Sequence, residues 1–475
     1  MSVSSEQRGS PERRGVQPAS FRDPSGFVFR DGGTLYRQVN RSYQDHYDSL
    51  MGSGLYAALT GRGWLVRHEE VKEGNLDDRA AYKILQPEQI RFVSYPYEWS
   101  FSQLKDAALL TLDAQIEAFK YGLMLKDASA YNVQFHHGRP ILIDTLSFER
   151  YLEGQPWSAY RQFCQHFLAP LALMAKRDVR LNQLMRIYID GVPLDLASGI
   201  LPARTWLNPG LAMHLHLHTK TQRAFSRSEK KSPGKMERLA RVSKRGLGGF
   251  LQGLRGTVSK LAWSPTGTEW VNYYGATNYS DPAFQEKQRL VRKYLEAVQP
   301  AEVWDLGANT GLFSRIASSM GVPTLAFDVD PAAVEVNYRH VRDKNEKWPL
   351  PLLVDLANPS PGLGWSNTER DSLLDRGPAA CVMALALVHH LAISNNVPLD
   401  RLAAFFDQIC QFLIIEFVPK SDSQVRRLLS SRTDIFDRYS RDDFEKAFAG
   451  RFEVLRAEGV EGSERTLYLM QKRGR

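Results

Sequence analysis

The sequence has few cysteines and no long apolar run, and each absence excludes a class of protein. Only 3 cysteines occur in 475 residues, and none lies in a Cys-x-x-Cys pair, so neither a zinc knuckle nor a disulfide framework is encoded. The longest apolar run, 166–175, is about half as long as the roughly 20 residues that cross a bilayer. The charged N-terminus has no apolar segment of the kind that a secretory signal requires. We therefore expect a cytoplasmic protein with no transmembrane segment and no resident metal.

The composition is that of a folded protein with more than one domain. Hydrophobic residues make up 43% of the chain and aromatic residues 11%, which excludes a chain that is disordered throughout. The length predicts at least two domains. Shifts in pattern predict four segments: a disordered tail over 1–22, an α+β domain over 23–218, a basic linker over 219–262 and an α/β domain over 263–475.

Positive charge is concentrated in one stretch of the chain. Between Lys220 and Lys260 there are 12 basic residues and 2 acidic ones, so this stretch accounts for more than the whole net charge of +8. Its glycines and serines favour a solvated linker between domains. Two alternatives stay open, which are weak contact with an anionic surface and the binding of nucleic acid.

Apolar periodicity predicts different architectures in the two halves. In the first half, alternation around an Asp-Gly turn predicts a β-hairpin over 26–39, and the clearest long helix is predicted over 101–121. In the second half, an amphipathic helix over 282–298 precedes five short apolar strands that alternate with helical patterns. This alternation predicts a parallel sheet covered on both faces, in a doubly wound, Rossmann-like α/β fold. A closing antiparallel pair over 451–459 and 465–473 brings the predicted sheet to seven strands.

A glycine-rich turn follows the first of these strands. The sequence from Val303 to Gly311 is V-W-D-L-G-A-N-T-G and opens a helix, so its backbone can approach a ligand closely and present free N–H groups. A dinucleotide fingerprint of Gly-x-Gly-x-x-Gly fails at two of its three glycines, because Asn309 and Leu312 stand there. A nicotinamide or flavin site is therefore not expected.

The same turn resembles the acidic-x-Gly-x-Gly-x-Gly turn of class I S-adenosylmethionine-dependent methyltransferases. Asp305, Gly307 and Gly311 match that pattern, and Asn309 replaces the middle glycine. Asparagine adopts a left-handed backbone more readily than most residues, so the replacement is compatible with the turn.

Two further aspartates follow the next two predicted strands. Asp328 can accept both ribose hydroxyls of an adenosine, and Asp355 can accept from the adenine N6 amine, with Leu356 beside it against the ring. The carboxyl ends of parallel strands meet at one edge of a sheet, so the set predicts an S-adenosyl-L-methionine site there. Each aspartate alone is equally explained as a helix cap, and Asp330 before Pro331 is better explained in that way.

The fourth predicted strand extends the resemblance. Residues 384–391, ALALVHHL, resemble an Ala/Asn-x-x-x-His-His-Leu segment of family members that act on small molecules. The resemblance implies that Leu385 and Ala386 lie near the methionine moiety. It also implies that His389 or His390 lies near the acceptor, where a histidine can take a proton from a hydroxyl. For either histidine alone, packing beside the site is the alternative. The absence of an Asn/Asp-Pro-Pro-Tyr segment favours an oxygen acceptor over a nucleic-acid base.

Two further features border this predicted site. Glu416 ends the fifth predicted strand and adds a polar group at the same edge. Upstream, Tyr273, Tyr274 and Tyr279 are predicted either to cover the methionine and acceptor positions or to pack against the helix that enters the sheet.

A second motif lies in the first half of the chain. Asp127-x4-Asn132, followed by Asp144 after an apolar strand, resembles the catalytic and metal loops of protein kinases and aminoglycoside phosphotransferases. That resemblance implies Asp127 as base and Asn132 and Asp144 as magnesium ligands. The sequence departs from the family in the residues beside both loops, and no Gly-rich phosphate loop precedes them. Three readings stay open: an active phosphotransferase, a kinase-like fold without that activity, and a loop of unrelated origin.

Three histidines alternate in the segment HLHLH. His214, His216 and His218 would share one face of a strand. No cysteine or carboxylate at ligand spacing accompanies them, so we expect a surface or interface cluster rather than a metal site.

The order of these parts is similar to that of one bacterial family. Segments 95–115, 125–135 and 141–149, followed by a linker and the methyltransferase pattern, resemble the family that includes the rhizobial host-specific nodulation protein NoeA. The resemblance covers most of 23–475 and implies a methyltransferase that uses S-adenosyl-L-methionine and acts on a small molecule or saccharide, with nucleic acid not expected as a partner. The rival functions are a kinase-like phosphotransferase with a regulatory adenosyl-binding domain, and a nucleic-acid-binding module.

Overall fold

The first half of the chain is an α+β domain. The computed structural model describes residues 15–72, 79–217, 242–265, 281–430 and 433–474. The strands of the first half are β1 (Gly15–Val16), β2 (Gly26–Asp31), β3 (Thr34–Asn40), β4 (His68–Val71), β5 (Ala81–Pro87), β6 (Leu123–Leu125), β7 (Val133–His136), β8 (Arg139–Leu142) and β9 (Phe148–Arg150). Its helices are α1 (Gln44–Gly52), α2 (Leu55–Gly61), α3 (Phe101–Lys120), α4 (Tyr160–Phe163), α5 (Ala169–Lys176), α6 (Leu184–Ile187), α7 (Leu194–Ile200) and α8 (Pro209–Leu211).

The predicted hairpin at the start of the domain is present. Pairing of β2 with β3 ends at Asp31↔Thr34, and the two residues of the turn, Gly32 and Gly33, have φ of +54° and +81°. Glycine adopts such angles without steric cost, and turns of this hand match the twist of the strands. The hairpin belongs to a five-stranded sheet of order β1-β2-β3-β5-β4.

The predicted disordered tail over 1–22 is too long. Residues 15 and 16 already form a strand of the sheet, where Gly15 pairs with Arg30 and Val16 with Phe29. An edge strand of 2 residues carries too little alternation to be recognised in a sequence pattern. Residues 1–14 lie outside the described part of the chain.

Helix α3, predicted over 101–121, is central to this half. Its N-terminus is closed by a capping box in which Ser100 accepts from the Gln103 N–H and the Gln103 side chain accepts from the Ser100 N–H. Of its 20 residues, 14 are buried, so the helix is surrounded by protein rather than half exposed.

The predicted linker over 219–262 is partly an ordered helix. Helix α9 (Lys244–Ser259) packs against α3. It buries Leu247, Leu251, Leu254 and Val258, which recur every three or four residues. Glycine lowers helix propensity, and the composition therefore indicates a linker, but burial of this apolar stripe outweighs that preference. Residues 218–241, which hold most of the basic side chains, lie outside the described residues.

The second half contains the predicted seven-stranded sheet. Its strands are β10 (Val303–Leu306), β11 (Thr324–Asp328), β12 (Leu350–Leu353), β13 (Ala379–Ala384), β14 (Cys410–Phe417), β15 (Phe452–Gly459) and β16 (Thr466–Lys472). Its helices are α10 (Asp281–Val298), α11 (Leu312–Ser319), α12 (Pro331–Lys344), α13 (Leu399–Ile409), α14 (Ser423–Ser430) and α15 (Arg441–Ala449). The order is β12-β11-β10-β13-β14-β16-β15. The first five strands are parallel, and β16 is antiparallel to both of its neighbours.

The two faces of this sheet are covered in different ways. Helices α10 and α11 cover one face, in a core that includes Val303 and Met383. On the other face, the connection 354–378, described throughout, contains no α-helix. The first half of the chain packs there instead, and its Phe92 ring meets those of Trp304 and Phe327 edge to face at 5.7 and 6.0 Å. One hydrophobic core therefore extends through both halves.

Buried polar contacts also join the two halves. Glu335 on α12 accepts from the backbone N–H and the hydroxyl of Ser102 on α3. Arg376, in the 354–378 connection, holds the buried Glu98 carboxylate with two nitrogens at 2.5 and 2.9 Å. Both carboxylates are removed from water and paired, so these contacts fix how the halves dock.

Several features of the sequence can be located in the structure. All 3 cysteines are free and buried. In the described part of the chain, no helix is long and apolar enough to span a membrane. His214 and His216 lie in a helical turn rather than on a strand, and both are buried, in contact with Tyr160 and Ser198. The expected surface cluster is therefore wrong for these two residues, and His218 is outside the described residues. Among the described residues, no group of three or more His, Cys, Asp or Glu could hold a metal ion.

Candidate active site

The candidate site lies where the five parallel strands end. The turn after β10 is built from three residues in left-handed conformation, Gly307, Asn309 and Gly311, with φ of +77°, +50° and +79°. A side chain on Gly311 would meet the Asn337 amide at 2.5 Å, so only glycine fits there. Asn309 adopts the angle that its place in the motif predicts. The turn thus brings bare backbone to the sheet edge at the start of α11.

Asp305 and Asp328 flank this turn from two adjacent strands. Asp328 accepts from the backbone N–H of Asn309 at 2.7 Å and of Asp330 at 2.9 Å. Asp305 accepts from the Ser314 hydroxyl at 2.6 Å. Burial raises the pKa of Asp305 to about 7 and that of Asp328 to about 6, and the negative charge of Asp328 adds to the shift at Asp305.

A cavity opens over the turn and contains most of the predicted cofactor residues. Asp355, which follows β12, is exposed and accepts from the Ala357 N–H at 2.8 Å. Ala386 has φ of +50°. The predicted residues that line the cavity are Asp305, Gly307, Asn309, Asp328, Asp355, Leu356, Leu385, Ala386 and His390. Gly311 does not line the cavity; it is the left-handed residue at the N-cap of α11. Asp330 caps α12, as predicted.

The structure separates the two predicted histidines. His390 lines the cavity, whereas His389 is fully buried and does not. Burial lowers the pKa of His390 to about 4 and that of His389 well below its usual value. The position of His389 is that of the alternative interpretation, in which the histidine packs beside the site.

Sequence reasoning missed a buried ion pair at the edge of the cavity. Lys287 on α10 lines the cavity, and its Nζ lies 2.6 Å from Oε2 of Glu416 at the end of β14. The signal was present in the sequence, because Lys287 falls on the apolar face of α10 between Phe284 and Val291. A charged residue on a buried face needs a partner. Tyr273, Tyr274 and Tyr279 lie outside the described residues.

The motif in the first half is also assembled in space. Asp127 forms a side-chain hydrogen bond with Asn132. Burial raises the pKa of Asp127, and the negative charge of Asp144 adds to that increase. Arg37 on β3 contacts the Asp144 carboxylate at 2.9 Å and Asp23 at 3.3 Å. A guanidinium therefore lies against the side chain that the kinase resemblance assigns to magnesium.

The strand order and the chemistry of the sheet edge together define the class of this domain. A parallel sheet closed by an antiparallel last pair in this order, with a glycine turn after the central strand and acids after the next two, is the arrangement of class I S-adenosylmethionine-dependent methyltransferases. The second half of the chain is a methyltransferase domain of this class.

Comparison with known proteins gives the family. No family model matches the chain. It is 35% identical over 469 residues to nodulation protein NoeA of Rhizobium meliloti (strain 1021), covering 97% of each chain. The chain belongs to the family of that nodulation protein, as its sequence resemblance predicts.

Similar solved structures overlap less than half of the chain. Magnesium protoporphyrin IX methyltransferase (ChlM) of Synechocystis PCC 6803 with bound SAH is 16% identical, covers 43% of this chain and 93% of its own, and has a TM-score of 0.31. N-methyltransferase NodS of Bradyrhizobium japonicum WM9 is 9% identical, covers 41% and 99%, and has a TM-score of 0.30. With scores this low, the class rests on the strand order and the site.

Proposed function

We propose that the sheet edge binds S-adenosyl-L-methionine and that the protein methylates an oxygen atom of a small-molecule or saccharide acceptor. The observation that carries the proposal is the order of groups along the edge. Asp355, Asp328, the Gly307 turn and Ala386 follow one another on consecutive strands and line one cavity. In the same order, these groups would contact the adenine, the ribose and the methionine moiety of the cofactor.

The side chains suit these assignments. Asp328 already accepts two backbone N–H groups, and a carboxylate has about four acceptor sites, so it can also accept ribose hydroxyls. Asp355 is exposed at the cavity and can accept from an exocyclic amine. Leu356 and Leu385 supply apolar walls. When bound, the cofactor supplies a methyl group on a positively charged sulfur.

We assign to His390 the contact with the methyl acceptor. This histidine lines the cavity and is neutral near pH 7, because burial lowers its pKa to about 4. A neutral imidazole can accept a hydrogen bond from a hydroxyl and orient it, which supports an oxygen acceptor. The saccharide is proposed from the family resemblance alone, and no residue of the cavity is assigned to a sugar.

The test is the affinity for S-adenosylhomocysteine of an Asp328→Asn variant, measured by calorimetry at pH 8. Loss of charged hydrogen bonds to ribose should weaken binding about 10- to 100-fold. Asp343→Asn is the matched control, since Asp343 is exposed on α12 and its side chain is 65% accessible. Unchanged affinity in Asp328→Asn, with normal binding by the native protein, would remove the ribose assignment.

For the first half of the chain we infer a kinase-like fold that does not transfer phosphate. Support comes from the sheet, in which β3, β5 and β4 are neighbours and two helices connect β3 to β4. It comes also from the gathering of Asp127, Asn132 and Asp144. The contact of Arg37 with Asp144 supplies the positive charge that magnesium would otherwise provide.

A further inference from the structure

A buried lysine side chain lines the cavity that we assign to the cofactor. Among the described residues that line it, Lys287 is the one lysine or arginine, and it is 2% exposed. His390, the other basic side chain there, is neutral because burial lowers its pKa. The remaining charged lining residues are Asp305, Asp328 and Asp355.

The position of Lys287 follows from the strand order. Its partner Glu416 is the second-last residue of β14, which is four strands away from β12 and Asp355. With neighbouring strands about 4.8 Å apart, the two ends of this row are separated by about 19 Å. If adenine is at Asp355, the Lys287 end of the cavity receives the opposite end of the cofactor, where its amino-acid group lies.

Lys287 is held rigidly at this end. Glu416 Oε2 accepts from Lys287 Nζ at 2.6 Å and from the Ala386 N–H at 2.7 Å. Glu416 Oε1 faces Arg465 at 3.7 Å. The Lys287 ammonium also lies 4.8 Å from the centre of the Phe313 ring. Glu416 thus fixes both the lysine and the left-handed Ala386 turn beside it.

We propose that Lys287 binds the carboxylate of the methionine moiety and that Glu416 is the positioning residue which holds Lys287 in place. The inference rests on the proposed function. A lysine ammonium has three donors, so it can hold Glu416 and a second carboxylate at the same time. Asp305, on the strand between, offers a negative charge to the amine of the same moiety.

The experiment compares two ligands that differ in that moiety. S-Adenosylhomocysteine carries the carboxylate and the amine, whereas methylthioadenosine keeps the adenosine and sulfur but lacks both. Lys287→Met should weaken calorimetric binding of S-adenosylhomocysteine about 10- to 100-fold. It should leave binding of methylthioadenosine within about twofold.

Two further variants make the result decisive. Lys287→Met leaves Glu416 buried without its lysine, which can unfold a protein. The double variant Lys287→Met, Glu416→Gln removes that charge and keeps an acceptor for the Ala386 N–H. Lys293→Met is the control, because Lys293 lies on the same helix but pairs with the partly exposed Glu458 and does not line the cavity.

The outcomes separate this inference from the function beneath it. A folded double variant that binds S-adenosylhomocysteine like the native protein, or that loses both ligands equally, overturns the assignment of Lys287. Failure of the native protein to bind either ligand overturns the proposed function itself.

Discussion

Folding favours the protonated form of the Asp305 carboxyl, whereas binding of the cofactor's amine favours the ionised form. Its carboxyl is buried beside Asp328, and burial raises its pKa from 3.8 to about 7. A group whose pKa is higher in the folded state than in the unfolded state favours folding at low pH, and that contribution is lost as the pH rises through the folded pKa. Binding of the positively charged amine of the methionine moiety, in contrast, requires the ionised form of the Asp305 carboxyl.

Asp305→Asn should therefore stabilise the empty protein in alkaline solution. At pH 8.5 the Asp305 carboxyl of the native protein is ionised, although burial favours its protonated form. We therefore expect the variant to gain about 1–3 kcal/mol in free energy of unfolding. At pH 5.5 the native group is protonated, so the gain should be small. Urea denaturation at both pH values measures the difference, and a gain that does not grow with pH would contradict the assigned pKa.

Binding should show the reverse dependence. S-Adenosylhomocysteine should bind the native protein about tenfold more weakly at pH 6 than at pH 8.5, because most Asp305 is protonated there. Asp305→Asn should bind weakly at both pH values. A native affinity that is constant across this range would indicate that Asp305 does not contact the amine.

Some residues of the site can be predicted from sequence because their role is local. Asn309 stands in a turn whose spacing requires a left-handed residue, and Asp328 and Asp355 follow apolar runs that read as strands. The apolar face of α10 indicates that Lys287 needs a partner, but that partner, Glu416, is 129 residues away in sequence. No local pattern identifies it. The difference between His389 and His390 likewise depends on how the helical turn after β13 packs.

At the level of elements, the parallel strands and the first hairpin follow from periodicity and turn residues. Helix α9 does not, because its glycines suggest a linker, whereas burial of its apolar stripe against α3 stabilises it as a helix. The connection 354–378 is a second case. Its sequence does not reveal that the first half of the chain packs against the sheet at this point, where the connection itself has no α-helix.

The loop that contains Asp127 and Asn132 gives a prediction about the first domain. Because Arg37 contacts Asp144 at 2.9 Å, we expect no binding of MgATP to the native protein in calorimetry and no shift in its melting temperature with MgATP. Arg37→Ala should lower stability, since it leaves the partly buried Asp144 without its guanidinium. Saturable, magnesium-dependent ATP binding that Asp144→Asn abolishes would restore the phosphotransferase interpretation.

In the whole molecule, the two halves are distinct in topology but share one core. Phe92, Trp304 and Phe327 form an aromatic cluster across the junction, and Glu98 and Glu335 are buried in contacts between the halves. Separation would expose this apolar surface and break the contacts of Glu98 with Arg376 and of Glu335 with Ser102. The first half therefore serves the methyltransferase domain as a structural layer, whatever else it does.

Cooperative unfolding is the consequence that can be measured. Phe92→Ala removes a ring that is 5% exposed, and such a truncation in a core costs about 3–5 kcal/mol. Because the ring contacts both halves, urea unfolding followed by hydrogen exchange should show the same loss in peptides from α3 and from β13. Phe21→Ala is the control, since Phe21 is 54% exposed and its loss should change stability by less than about 0.5 kcal/mol. Two transitions, of which Phe92→Ala shifts one alone, would mean that the halves fold independently and that the shared core does not couple them.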